Sequence, residues 1–241
     1  MAVIENLEQY RQRTLGFMRD SLPHDGTFET NPGLKYKVDS QGKFLPFYGD
    51  TVIYHVDSHV KAQVKALQDI LYSQCKDMLA EPIDCSTFHV TLHDLNNGER
   101  SPWLAEQMEG NRRAVGELWT KIGKGKGLPI RVRTVSVFNM VNTSVVLGLE
   151  PADEESCRRL MELYEQFQKV VFLGYPLTLH ITVAYFRPGV YSDGQRQALA
   201  QAFSEANRCI DMEFCLTDEN LVYQCFSDMN HYGEEQEYQK I

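Results

Sequence analysis

Two stretches of sequence, residues 87–92 (TFHVTL) and residues 178–186 (TLHITVAYF), decide how the rest of the chain is interpreted. Both are rich in β-branched and aromatic residues, which favours strands. Each carries a histidine followed two places later by a threonine. Residues i and i+2 of a strand point to the same face. We therefore expect each histidine to project beside its threonine, with Val90 and Ile181 turned into a core.

These stretches belong to an internal repeat in which strand, helix, strand, helix and strand follow one another twice. Four pairs of positions share nearly one spacing: Thr51 and Thr143 (143 − 51 = 92), His89 and His180 (180 − 89 = 91), Ser101 and Ser192 (192 − 101 = 91), and Ile130 and Leu221 (221 − 130 = 91). The spacing is too long for a solenoid unit. It predicts an α+β fold of two pseudo-symmetric antiparallel-sheet lobes, residues 51–140 and 141–228, with outer helices around a central cleft.

Apolar periodicity and turn residues predict the individual elements. Predicted helices cover residues 4–20, 58–79, 101–122, 153–167 and 192–206, and predicted strands cover residues 51–56, 87–92, 130–138, 143–149, 178–186, 211–216 and 220–226. Residues 21–50 are dense in proline and glycine. We expect residues 1–50 to form an N-terminal helix and an irregular arm that narrows the cleft and restricts substrate size, outside a main domain of residues 51–241.

The repeated histidine and threonine suit the cleavage of a phosphodiester. In-line displacement at phosphorus needs a base on the attacking side and an acid on the leaving side. Imidazole serves both roles near neutral pH. Charge that builds on the phosphoryl oxygens needs fixed donors, which Thr91 and Thr182 can supply. His89 and His180 are therefore the candidate catalytic pair, although the sequence does not distinguish the base from the acid.

The sequence resembles the 2H phosphoesterase superfamily, which includes LigT-like proteins, cyclic phosphodiesterases and 2′–5′ RNA-ligase-like proteins. The resemblance rests on two His-x-Thr-hydrophobic motifs, at residues 89–92 (HVTL) and 180–183 (HITV), and on the element order of residues 51–228. It implies a bilobal α+β fold with both motifs on central strands. It also implies metal-independent cleavage or ligation of nucleotide phosphodiesters, of the 2′,3′-cyclic or 2′–5′ type, without a cofactor.

Three further side chains are candidates for substrate contact. His93 would share a face with His89 if the strand continued regularly, or it could lie in water at the strand end. Tyr185 could stack on a base, although an aromatic residue there is more often part of a core. Arg133 could bind phosphate or pair with an acid across the sheet.

Two other classes of function stay open at this point. The first is a metal-dependent hydrolase, whose ligands would come from His55, Asp57, His59, His89 and His93. The second is a nucleotide- or RNA-binding module without turnover. The two titratable histidines, His89 and His180, count against a binding module, because binding alone does not need two groups that exchange protons.

Composition limits the partners and the compartment. The formal net charge of −9 argues against binding of long duplex nucleic acid and favours a small nucleotide or an RNA end as substrate. No apolar run is long enough to cross a bilayer, and residues 1–20 lack a secretory pattern. The six cysteines form no C-x-x-C pair, so we expect reduced thiols in the cytoplasm. Lys124 and Lys126, and the acidic tail at Glu234, Glu235 and Glu237, are predicted to be solvated.

Overall fold

The computed structural model describes residues 5–19, 21–125 and 127–233 of the chain. The elements in chain order are α1 Leu7–Arg19, β1 Phe28–Glu29, β2 Tyr48–His55, α2 Ser58–Cys75, β3 His89–Gly98, α3 Pro102–Ile122, β4 Ile130–Met140, β5 Ser144–Pro151, α4 Glu154–Phe167, β6 His180–Tyr185, β7 Val190–Tyr191, α5 Asp193–Arg208, β8 Glu213–Leu216, β9 Leu221–Phe226 and β10 Tyr232–Gly233. The expected α+β fold is confirmed. Lys126 and the acidic tail lie outside the described residues.

The helices begin where the sequence offers a side-chain cap. Asp57, Ser101, Asp153 and Ser192 each accept a hydrogen bond from a backbone N–H of the first turn. In α3, Pro102 follows its cap, where the missing N–H costs nothing. These caps fix the starts of the four helices that flank the sheets.

Two four-stranded antiparallel sheets form the frame of the molecule. The first has the strand order β10-β9-β2-β3 and the second has the order β6-β5-β4-β8. β4, from the first half of the repeat, pairs with β5 in the second sheet, and β9, from the second half, pairs with β2 in the first sheet. Each sheet therefore contains one central strand from the other half of the repeat. The sheets are not built from residues 51–140 and 141–228 separately. The 21-residue α3 is about 30 Å long, which lets it carry the chain from one sheet to the other.

The strand exchange also changes where the two motif strands lie. We expected central strands, but β3 and β6 are each at the edge of their own sheet. They lie beside each other in the middle of the molecule. The backbone N–H of Ala80, before β3, donates to the carbonyl of Tyr185 at the end of β6 over 2.9 Å. At the other end, the Tyr175 hydroxyl, before β6, donates to Asp94 of β3 over 2.9 Å. The motif strands thus run in opposite directions.

Helices cover the face of each sheet that carries Val90 and Ile181, both of which are fully buried. α4 packs on both sheets, against β3, β4 and β5, and α2 packs on β6. The opposite face of the second sheet is partly covered by α1, whose buried Tyr10 donates its hydroxyl proton to the carbonyl of Leu149. The N-terminal helix is therefore an integral part of the second sheet's packing.

The rest of the N-terminal segment is an arm, residues 21–47, that is tied to both sheets. Asn31 donates its backbone N–H to Asn142 in the β4–β5 turn, and Phe47 donates to Ser227 beyond β9, both over 2.8 Å. Between these points the arm follows residues 79–81, where Glu81 accepts from the backbone N–H of Phe44 over 2.8 Å. The arm crosses from one sheet to the other and is held at both ends.

Within the described residues, no helix combines the length and apolar character that a membrane crossing requires. No cysteine of the described residues forms a disulfide, and Cys75, Cys157 and Cys225 are buried.

Candidate active site

His89 and His180 begin the two motif strands and are held in the same way. The Nδ1 atom of His89 lies 2.7 Å from the carbonyl oxygen of Thr87, and Nδ1 of His180 lies 2.7 Å from that of Thr178. A carbonyl oxygen only accepts, so each Nδ1 carries the proton and donates. The Nε2 atom of each ring is then free to exchange a proton with a ligand. Both imidazoles are fixed in the tautomer and orientation that acid–base chemistry needs.

Burial lowers the pKa of both histidines. The pKa of His89 falls from 6.5 to about 4, chiefly through desolvation, with His180 and His55 lowering it further. The pKa of His180 is also lowered by burial, but the Thr178 carbonyl and Asp94 oppose this shift. His55 is the cross-strand partner of His89 on β2. The two candidate catalytic histidines thus have different electrostatic surroundings, although their hydrogen bonds match.

Thr91 and Thr182 lie two residues after the histidines on the same strand faces. Both side chains are half-buried. Neither hydroxyl has a hydrogen-bond partner within the described part of the chain, so both are available to donate to a ligand. Their cross-strand partners, Ile53 and Val146, present only apolar side chains at this level.

A β-bulge follows each threonine at equivalent positions. On β3, Thr91 pairs with Ile53 and His93 pairs with Val52, so Leu92 has no opposite residue. On β6, Thr182 pairs with Val146 and Ala184 pairs with Val145, so Val183 is the extra residue. The two bulged residues are 91 apart (183 − 92 = 91). A bulge inserts one extra residue into a strand. The side chains after the bulge therefore point to the face opposite the one that regular alternation predicts.

The bulge removes His93 from the cleft, which corrects the expectation that it shares a face with His89. Leu92 and His93 both point to the helix side, where His93 is 1% exposed. Its ring packs on Tyr164 and Phe167 of α4, with centroids 5.1 and 6.1 Å away. Desolvation lowers its pKa, which keeps the buried ring neutral. His93 is a core residue.

The same bulge brings Asp94 to the cleft face, a residue that the sequence analysis missed. Asp94 is exposed and accepts from the Tyr175 hydroxyl. Its charge opposes the burial-driven lowering of the pKa of His180, of His89 and of Lys37. Its equivalent on β6 is Tyr185, because 185 − 94 = 91. Tyr185 therefore lies on the cleft face, as a substrate contact requires.

The arm contributes a cation and aromatic rings to this cleft. The ammonium group of Lys37 lies 4.8 Å from the Phe47 ring centroid and 5.8 Å from that of Tyr185. Phe44 packs edge-on against Tyr185, with ring centroids 5.8 Å apart. Burial lowers the pKa of Lys37. No carboxylate of the described chain lies within ion-pair distance of Lys37. No periodicity in the arm sequence indicated this lysine.

Tyr232 of β10 packs beside His89. Its ring lies 4.9 Å from that of His89, and it also contacts Phe226 of β9 at 5.5 Å. Phe226 stacks in turn on Phe47 of the arm at 6.2 Å. Aromatic side chains thus border His89, whereas α1 lies beside His180.

Arg133 does not reach the histidines. It lies on β4, two strands away from β6, and its Nε donates to Glu150 of β5 over 2.6 Å. Glu150 also pairs with Arg11 of α1 at 3.2 Å. The alternative interpretation of this arginine, an ion pair across the sheet, is the one observed.

The five residues of the metal alternative do not converge. Asp57 caps α2 through the backbone N–H of Val60, and His59 is exposed on that helix. His93 lies on the opposite sheet face from His89. Across residues 5–19, 21–125 and 127–233, no three histidine, cysteine, aspartate or glutamate side chains gather at metal-binding distance.

Comparisons with known proteins find a related viral sequence and several solved structures. No family model matches the sequence. The uncharacterized protein 127L of Invertebrate iridescent virus 6 is 26% identical over 224 residues, covering 82% of this chain and 93% of the viral protein. The conserved protein of unknown function ATU0111 from Agrobacterium tumefaciens shares the fold, with a TM-score of 0.61 at 16% identity over 86% of this chain and 92% of its own.

Other solved structures align less closely. TT0787 of Thermus thermophilus has a TM-score of 0.45 at 14% identity, covering 75% of this chain and 98% of its own. E. coli LigT in its apo form has a TM-score of 0.36 at 10% identity, covering 78% and 94%. Scores at this level carry no argument about function, so the functional conclusion depends on the geometry of the cleft.

Proposed function

We propose that this protein is a metal-independent phosphodiesterase that acts on a nucleotide or RNA-end phosphodiester of the 2′,3′-cyclic or 2′–5′ type. One observation carries the proposal: two histidines, donated by pseudo-symmetric strands, each bind a backbone carbonyl through Nδ1 and leave Nε2 free. A paired base and acid on opposite sides of one phosphorus is what in-line hydrolysis requires.

In the proposed reaction on a 2′,3′-cyclic phosphate, Nε2 of His89 removes a proton from water as the water oxygen attacks phosphorus. The P–O bond to one ribose oxygen breaks, and Nε2 of His180 gives that oxygen its proton. The products are a nucleoside monophosphate and a histidine pair with exchanged protonation, which the solvent restores. Thr91 and Thr182 donate hydrogen bonds to the non-bridging oxygens, where negative charge accumulates.

The assignment of base and acid follows from the surroundings of each ring. The pKa of His89, at about 4, keeps this ring neutral before the reaction, as a base must be. We assign His180 as the acid, because His180 and His55 lower the pKa of His89 further, whereas for His180 the Thr178 carbonyl and Asp94 both oppose the effect of burial. A bound phosphodiester anion raises the pKa of both rings, which brings the base nearer to its working range.

The remaining parts of the proposal concern the substrate and the compartment. Tyr185 is proposed to contact the substrate, because it lies on the face of His180 and Thr182. The arm is proposed to narrow the cleft with Lys37 and Phe44 and so restrict substrate size. A small nucleotide or RNA end, rather than long duplex nucleic acid, agrees with the net charge of −9. Free thiols agree with a reducing cytoplasm.

The experiment that tests the proposal is an assay of the purified protein on 2′,3′-cyclic nucleotides and on short 2′–5′ and 3′–5′ oligonucleotides in excess chelator. His89→Ala and His180→Ala should each reduce turnover by about a hundredfold or more, the size expected for loss of a general acid or base. His59→Ala, which changes an exposed histidine, should behave like the unaltered protein. Activity that vanishes in chelator, or that survives either cleft substitution, would refute the two-histidine mechanism.

A further inference from the structure

A second binding region adjoins the cleft and is built largely by the arm. It is a cavity of about 630 Å³ whose walls include Lys35, Tyr36, Phe47, Tyr48 and Arg100. This volume is typical of small-ligand sites. Phe47 is common to this cavity and to the cleft, because its ring also lies beneath the Lys37 ammonium group. The cavity and the histidine cleft are therefore neighbours that share one wall.

The chemistry of the cavity wall suits a nucleobase with a nearby phosphate. Lys35 lies over the Tyr36 ring at 5.2 Å, and Arg100 lies over the Tyr48 ring at 5.8 Å. Tyr36 is 54% exposed, so its ring is open to a ligand. Aromatic faces bind any base by stacking, and adjacent cations bind the backbone. In a chain with a net charge of −9, a local group of cations and rings is a specific feature. Glu99 is the acidic residue in this wall.

Lys37 lies at the junction of the two regions. It is half-buried between Tyr185, on the cleft face of β6, and Phe47, on the cavity wall. It lacks an ion-pair partner within the described ranges, so a ligand anion would complete its environment. The backbone of Lys37 is fixed, since its carbonyl accepts from the backbone N–H of Leu45 over 2.9 Å. The Lys37 side chain thus extends from an ordered backbone and lies against the rings of Phe47 and Tyr185.

We infer that the arm forms a second nucleotide subsite, in which the cavity stacks the base of the neighbouring nucleotide and Lys37 binds the phosphodiester that links it to the nucleotide in the cleft. The inference rests on the proposed function, because that function puts a terminal nucleotide in the histidine cleft. It specifies the substrate class as an oligonucleotide end rather than a mononucleotide. The arm would then exclude bulky ligands from the cleft and extend the binding surface along a single nucleic-acid strand.

The experiment compares two probes by calorimetric titration: adenosine 3′-phosphate and the dinucleotide adenylyl-(3′,5′)-adenosine 3′-phosphate. Both resemble reaction products and need no turnover. The unaltered protein should bind the dinucleotide at least about tenfold more tightly, as one stacked base and one phosphate contact predict. Lys37→Met and Tyr36→Ala should each remove most of this preference. Tyr36→Ala changes a residue outside the cleft and should leave binding of adenosine 3′-phosphate unchanged, whereas Lys37→Met should weaken dinucleotide binding more than mononucleotide binding. Lys37→Met should also reduce the salt dependence of dinucleotide binding.

The matched control is Lys43→Met, which removes the same charge from the same arm. Lys43 pairs with Glu81 at 2.8 Å on the surface, so dinucleotide preference should persist in this variant. Equal affinities for both probes in the unaltered protein would overturn the subsite, as would a Lys37→Met loss that affects both probes equally.

Turnover of 2′,3′-cyclic AMP and of the dinucleotide with a terminal 2′,3′-cyclic phosphate separates this inference from the proposed function. Turnover of both at the same kcat/KM would leave the two-histidine reaction standing and refute the subsite. Selective dinucleotide binding that Lys37→Met abolishes, without any turnover, would support the subsite and refute the reaction.

Discussion

The two motif strands both have histidine, an aliphatic residue, threonine and an aliphatic residue at their first four positions, and they differ at the fifth and sixth. β3 carries His89, Thr91 and the bulged Leu92, and β6 carries His180, Thr182 and the bulged Val183. After the bulge, β3 presents the carboxylate of Asp94 to the cleft, whereas β6 presents the ring of Tyr185. The shared part supplies a symmetric pair of proton-transfer groups and donors. The differing part gives the two strands unequal groups beside this pair, a carboxylate on β3 and an aromatic ring on β6.

The largest effect should come from breaking the shared part. His89→Ala and His180→Ala should each lower kcat/KM by about 10²–10⁴-fold. Groups that act as a unit are strongly non-additive. The kcat/KM of the double variant should therefore be little lower than that of the less active single variant. Initial rates on 2′,3′-cyclic AMP measure this comparison. Two losses that multiply fully would argue that the histidines act independently.

The threonines should give the next largest effect. Thr91→Val or Thr182→Val keeps the β-branched shape and removes one donor from the developing charge. We expect kcat to fall by about a hundredfold, at the lower end of what a lost oxyanion donor costs, with a smaller change in KM. Thr120→Val, on the exposed face of α3, is the matched control. A change in KM alone would mean that the hydroxyls bind substrate without stabilising the transition state.

The bulge gives a comparison within one strand, between His89 and His93. His93→Ala leaves a hole beside Tyr164 and Phe167, so the free energy of unfolding should fall by about 1–3 kcal/mol. kcat/KM should stay at the level of the unaltered protein, because the ring faces away from the cleft. Urea denaturation and steady-state kinetics on the same preparation test both halves. A stable variant with lost activity would put His93 back among the substrate contacts.

The smallest effect concerns stability at acid pH. His89 has a folded pKa of about 4 against an unfolded value of 6.5. Between these values the unfolded chain binds a proton that the folded chain refuses, so the free energy of unfolding falls as pH drops through this window. His89→Gln should reduce the loss between pH 7 and pH 4.5 by on the order of 1–2 kcal/mol. Equal losses in the unaltered protein and in His89→Gln would mean that the pKa of His89 is not lowered by folding.

Sequence patterns predicted the elements, the repeat and the paired motifs, because periodicity and cap residues act locally. The bulges were not predicted, since Leu92 and Val183 look like ordinary apolar strand residues. Regular alternation therefore left His93 either on the cleft face or in water at the strand end, and neither expectation was correct. The charge of Asp94 was the available signal, because an unpaired carboxylate on the helix side would be costly to bury.

Other features depend on long-range packing that leaves no local signal. β4 and β9 each pair in the sheet that belongs mainly to the other half of the repeat. This pairing depends on where α3 and the later part of the chain place these strands. The pairing of Arg133 with Glu150 follows from the register of β4 and β5. Lys37 lies in an arm with little regular structure, so only its tertiary contacts bring it to the cleft.

The measurement that tests the central claim most directly is the pH dependence of kcat/KM on 2′,3′-cyclic AMP for the unaltered protein, His89→Ala and His180→Ala. The unaltered protein should give a bell-shaped profile, with His89 as the base on the acidic limb and His180 as the acid on the alkaline limb. His89→Ala should lose the acidic limb, and His180→Ala should lose the alkaline limb. Asp94→Asn should move the alkaline limb to lower pH, because it removes the charge that supports protonated His180. Both limbs persisting in either histidine variant would contradict the account.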